Sequence, residues 1–161
     1  MSEENKAYPI EYLSDFIKSV AAVFVKIGES PCNVEKVLNR FLASTIFEEV
    51  HTRGNFLYLN KSPRQLLECL TYDEEYDYLK ELPDTSSLYE PDILYWTAEV
   101  LVRFQWYYNI DFREWLKYFS AQDVYDMFYP GHEASYQHMI ELLKEKYDSK
   151  SHKDTKTLFF I

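Results

Sequence analysis

The chain has 161 residues, a net charge of −10 and only three glycines, Gly28, Gly54 and Gly131. Nearly half of it is apolar, so it can close a core of its own, and disorder is excluded as the default. The acidity opposes nonspecific binding to nucleic acid or to an anionic membrane, and the scarcity of glycine argues against strand-rich folds and phosphate-cradling loops.

In chain order, Ile10, Leu13, Ile17, Val20, Phe24 and Ile27 recur at helical spacing and predict a helix from about Pro9 to Ile27. Gly28 is the expected stop, and Ser30-Pro31 the expected restart, with Ser30 as N-cap. Val34, Val37, Leu38, Phe41, Leu42 and Thr45 give the inner face of a second helix, expected to fray between His51 and Gly54. Phe56 to Leu59 is a short apolar run, either extended or one helical turn. Ser62 with Gln65 is a capping box, with Leu66, Leu67 and Leu70 facing inward. Thr71 with Glu74 reads as a second box, opening a helix to Leu82 that Pro83 closes. After a polar loop, Pro91 opens the central helix, and the run Asp92–Phe119 holds all three tryptophans.

That run is apolar almost all round, interrupted before Asn109 only by Thr97, Glu99, Arg103 and Gln105, so its helix must be enclosed by others or by a partner. Asp111 with Glu114, and more weakly Ser120 with Asp123, start further short helices. Pro130-Gly131 is a sharp turn, and Tyr136, Met139, Ile140 and Leu143 mark a last helix. The expectation is an all-α fold: a single compact multi-helix domain, residues 1–147, around a central aromatic helix. Residues 148–161 are expected to be a polar tail with an apolar LFFI end, either docked or available to a partner's sheet edge or groove.

Cys32 and Cys69 lack metal or redox spacing and read as free, buried, reduced thiols on apolar helix faces. The N-terminus is polar and acidic, unlike a signal peptide, and the apolar run Ile93–Tyr108 is short for a membrane span. A soluble cytoplasmic protein is expected.

Charge is unevenly placed. From Glu68 to Asp92 there are nine acids against one base, Lys80, with Tyr72, Tyr76, Tyr78 and Tyr89 interleaved. One reading is a solvated helix with acids near its positive N-terminus. The other is a docking face in which Asp73, Glu74, Glu75 and Asp77 steer a basic partner while Tyr72 and Tyr76 anchor it. Mimicry of nucleic-acid charge is a narrower form of the second.

In the central helix Glu99 and Arg103 stand four residues apart. They form either a paired charge in or beside the core, or, with Tyr95, Trp96, Trp106 and Tyr107, an aromatic and arginine recognition patch. Glu48 and His51 have a spacing seen in di-iron bundles but no second such pair, so no metal is expected. A helix-turn-helix across Pro130-Gly131 would present His132, Glu133, Ser135, Gln137 and His138 with no arginine, which argues against reading DNA. No catalytic residue and no cofactor is expected.

The segment Asp92–Leu143 resembles a group of uncharacterised small acidic proteins of Firmicutes. Their pattern is matched here by Asp92, Ile93, Tyr95, Trp96, Arg103, Trp106, Tyr107, Tyr108 and Tyr129 to His132, with Lys61 to Leu67 as an upstream match. The resemblance implies membership of toxin–antitoxin-like or mobile-element gene clusters, beside enzymes similar to ADP-ribosyltransferases. It implies an accessory or neutralising partner of an enzyme. The leading expectation is thus a non-enzymatic protein-binding module, antitoxin-like or inhibitor-like, that sterically occupies a basic partner protein. A small helical enzyme with a site assembled from distant residues, and a homo-oligomeric scaffold, are the alternatives.

Overall fold

The computed structural model describes residues 6–51, 56–83 and 88–160, with 154–160 as backbone only. Among the described residues every regular element is helical. They are α1 (Leu13–Glu29), α2 (Val34–Leu42), α3 (Thr45–His51), α4 (Pro63–Glu68), α5 (Pro91–Tyr108), α6 (Phe112–Trp115), α7 (Ala121–Tyr125), α8 (Phe128–Gly131) and α9 (Tyr136–Phe160). Short 3₁₀ turns cover Ile10–Tyr12 and Tyr78–Lys80, and a wide π-helical turn, Cys69–Asp73, continues α4.

The all-α domain is built around α5, as its composition requires. Ile93, Leu94, Trp96, Thr97, Ala98, Val100, Leu101, Val102, Phe104 and Gln105 are buried. α5 packs chiefly along α1, then against α9 and α7. Its two buried polar side chains donate hydrogen bonds, Thr97 within the helix and Gln105 beyond it, while Gln105 Oε1 has no donor. Thr97 Oγ1 donates to the Ile93 carbonyl at 2.7 Å, and Gln105 Nε2 donates to the carbonyls of Phe47 and Ile110 at 3.1 and 3.0 Å. The helix ends at Asn109, whose left-handed backbone (φ 53°) an asparagine tolerates. Edge-to-face contacts then link Phe41, Phe47, Phe112 and Trp115 through the core.

The expected inner faces of the first two helices are buried, apart from half-buried Thr45 and a half-buried Leu13 and exposed Ile10 at the outset. Several expected ends move. Gly28 does not stop α1. It lies in the last turn, where an added Cβ would meet Leu94 Cδ1 at 2.3 Å, so the glycine permits close approach of α1 to α5. Ser30 Oγ donates back to the Lys26 carbonyl, and the N-cap of α2 is Asn33, whose Oδ1 accepts from Lys36 N–H at 3.2 Å. Cys32 therefore sits buried in the turn rather than on a helix, and Cys69 is only half-buried. Burial pushes both thiols upward in pKa, with the carboxylates of Glu81 and Asp73 adding to Cys32 and Cys69 respectively.

The Ser62–Gln65 and Ser120–Asp123 capping boxes are complete. The Asp111 box is half made. Asp111 accepts from Arg113 N–H at 3.0 Å, while Glu114 turns instead to Lys117 Nζ at 2.9 Å. α9 continues through the stretch expected to be a polar tail. Lys144–Asp148 pairs along its face at 2.6 Å, and Lys150 lies 5.5 Å from the Phe119 ring centre. The LFFI side chains, like residues 52–55 and 84–87, lie outside the described set.

Candidate functional site

The second predicted capping box does not form, and that rearranges the acidic flank. The chain leaves α4 through the wide turn, closed by Glu74 N–H donating to the Cys69 carbonyl at 3.1 Å, and Glu75 takes a left-handed conformation (φ 51°). Glu74 is thereby aimed inward. Its carboxylate accepts from the Thr45 amide at 2.6 Å and from Thr45 Oγ1, and Arg40 stands 3.8 Å away. It closes the first turn of α3, a tertiary partner winning over the local one. Burial opposes the Glu74 charge, but the two Thr45 hydrogen bonds, with Arg40 and Arg113, outweigh it and hold the carboxyl below its usual range.

Tyr76 is likewise turned inward. Its hydroxyl donates to Glu81 at 3.0 Å, Arg40 lies over its ring at 5.4 Å, and Glu81 pairs with Lys36 at 3.0 Å. Tyr78 and Tyr89 are half-buried, Tyr89 donating to Gln122 Oε1 at 2.5 Å and meeting Tyr125 edge-on. Of the predicted docking residues Tyr72, Asp73, Glu74, Glu75, Tyr76 and Asp77, two are thus structural, Glu74 and Tyr76. The other four are exposed, although Asp77 also caps the following 3₁₀ turn through Leu79 N–H.

The outward part of the flank carries something the acid count did not reveal. Alongside Asp73, Glu75 and Asp77 it shows large apolar side chains: Tyr72 is 75% exposed, Leu79 54%, Leu82 83% and Leu88 99%. The sequence signal was present in these leucines, but a helix running to Leu82 would have assigned two of them to an inner face.

The second predicted surface divides along α5. Glu99 and Arg103 pair at 3.6 Å, and the guanidinium lies 3.9 Å from the Tyr136 ring centre on α9. Burial, then the hydrogen bond and charge of Glu99, push Tyr136 up to about 12. Tyr95, Glu99 and Arg103 line a shallow groove of about 250 Å³ with Ile10, Leu13 and Lys18. Trp106 and Tyr107 are covered from the N-terminal side. Trp106 Nε1 donates to the Tyr8 carbonyl at 2.8 Å, Ala7 N–H donates to the Trp106 carbonyl at 2.8 Å, and Lys6 Nζ sits 3.9 Å over the Tyr107 ring. Trp96 is buried edge-on against Phe128. These rings serve intramolecular packing, and the patch is not a continuous open surface.

Glu48 and His51 are engaged elsewhere. Glu48 pairs with Arg113 at 2.7 Å, and His51 Nδ1 is 3.0 Å from the Asn109 carbonyl oxygen. His51 does not line the groove that holds Glu99 and Arg103. Among the described residues no helix is long and apolar enough to cross a membrane. Comparison with protein-family models, with curated proteins and with solved structures gives no match.

Proposed function

We propose that the chain is a cytoplasmic, non-enzymatic protein-binding module, antitoxin-like or inhibitor-like, that works by covering the basic face of a partner protein. The observation that carries this reading is the outer surface of the described residues in 72–83 and 88–90. Exposed carboxylates of Asp73, Glu75 and Asp77 accompany exposed Tyr72, Leu79, Leu82 and Leu88. Charges there steer a basic partner, while aliphatic and aromatic side chains supply area that loses water on contact. Four large apolar side chains exposed within one acidic stretch support a partner surface where they form one patch. The antitoxin-like element draws on the resemblance of Asp92–Leu143 to the Firmicutes group described above.

The test is a comparative capture from host extract by the wild-type chain and two variants, read by mass spectrometry. One variant reverses charge at Asp73, Glu75 and Asp77. The other carries Leu82→Ser and Leu88→Ser. A basic protein held by the wild type and released by both variants is the expected result. The same proteins retained by all three chains would remove the flank from the binding surface.

A further inference from the structure

A second cleft, formed where α6 and α7 meet α9, shares no lining residue with the acidic flank and has a different character. It encloses about 360 Å³, within the range of small-molecule sites. Trp115, Phe119, Met127 and Leu143 form its apolar wall, and Lys146 and Lys150 stand one helical turn apart on α9 beside it. Seven described cations sit in ion pairs with carboxylates. Lys146 and Lys150 are not among them, although acids outnumber bases by ten in this chain. The acid that does line the cleft, Asp123, is engaged in the α7 capping box, its Oδ2 accepting from Ser120 N–H at 2.8 Å.

The wall is ordered by contact. Trp115 and Phe119 stack with ring centres 5.7 Å apart, and Lys150 Nζ lies 5.5 Å from the Phe119 centre. Trp115 is fully buried, and its indole N–H has no acceptor, an unmade hydrogen bond that proteins ordinarily avoid. An apolar wall beside two cations without carboxylate partners is complementary to one kind of ligand.

We infer that this cleft binds a small amphipathic carboxylate, with the carboxylate between Lys146 and Lys150 and the apolar body against Phe119, Met127 and Leu143. A bare inorganic anion uses the lysines but leaves the wall empty. A neutral amide of the same chain uses the wall but leaves the lysines unanswered. The site does not depend on the partner-binding reading, since none of the described residues between 68 and 92 contributes to it.

The experiment titrates the full chain with octanoate, octanamide and inorganic phosphate while following the indole N–H resonance of Trp115, assigned with Trp115→Phe. Octanoate should move that resonance saturably. Octanamide, phosphate, and octanoate on the Lys146→Gln/Lys150→Gln variant should each bind at least roughly tenfold more weakly, the scale of one charge-assisted contact. Both lysine side chains are exposed, so the double variant should melt as the wild type does. Absence of a saturable octanoate shift, or equal affinity for the amide, or an unaltered affinity in the folded lysine variant, overturns the inference.

Discussion

The acidic flank at residues 72–82 and the α5 stripe from Tyr95 to Tyr107 both read as recognition surface in the sequence, yet the fold treats them differently. The stripe is drawn into packing: Trp96 is buried, Trp106 and Tyr107 are partly covered by the N-terminal segment, and Arg103 stacks on Tyr136 of α9, while Tyr95 stays exposed. The flank is divided residue by residue, with Glu74 and Tyr76 turned into the body and Tyr72, Asp73 and Glu75 left in water. Aromatic rings next to a single ion pair lose less by being buried than by being wetted. A run of carboxylates cannot follow them, because each buried charge needs its own donors, and only Glu74 finds a set.

The comparison breaks most visibly at the buried end. Trp96→Ala should cost about 3–5 kcal/mol in denaturant unfolding, the scale for removing a large core ring. A loss below 1 kcal/mol would mean that the ring belongs to the surface. Next in size is Glu74→Ala, which leaves the Thr45 amide and hydroxyl without their acceptor. Hydrogen bonds to a charged group suggest a loss of about 2 kcal/mol, with partner capture unchanged.

The same residue sets a pH signature. Its folded-state pKa is lowered, so the stability it contributes is present above its ordinary value of 4.5 and is lost as pH falls through the lower folded value. The stability gap between the wild type and Glu74→Gln should therefore be largest near neutrality and close progressively as pH falls from about 4.5 through the lower folded value. A constant gap from neutral to acid pH would show that Glu74 acts by shape alone.

A smaller effect is expected where the stripe meets α9. Arg103→Ala removes a half-buried ion pair and the contact with Tyr136, for a loss of about 1 kcal/mol by thermal melting. The smallest belongs to the open part of the flank. Reversing Asp73, Glu75 and Asp77 together should cost no more than about 1 kcal/mol, most of it the Asp77 cap on Leu79 N–H, since the other two positions carry little. The same triple variant is the one expected to lose the partner, which separates the two regions by function as well as by energy.

Much of the fold was legible because it rests on periodicity and local chemistry. The stripes of α1 and α2, the Ser62 and Ser120 caps and the enclosure of α5 all follow from spacing within a few residues. The failures share a cause. Gly28 looked like a stop but is a contact point for Leu94, sixty-six positions away in the chain. Glu74 looked like the reciprocal partner of Thr71 but serves Thr45, 29 residues upstream. The exposed Leu79 and Leu82 could not be told from inward-facing leucines until the helix expected around them proved to be a turn.

What the sequence determined by itself is therefore the class of object: an acidic, helical protein whose ring-bearing segment is wrapped by its neighbours. Hydrophobic period and capping chemistry act over one or two turns and need no knowledge of distant partners. The tertiary structure alone decided which acids are spent on holding the chain together and which remain in water. It also decided that two lysines of α9 meet an aromatic wall. A charged side chain's role is set by the donors and rings that folding brings to it, and those come from segments far apart in the chain.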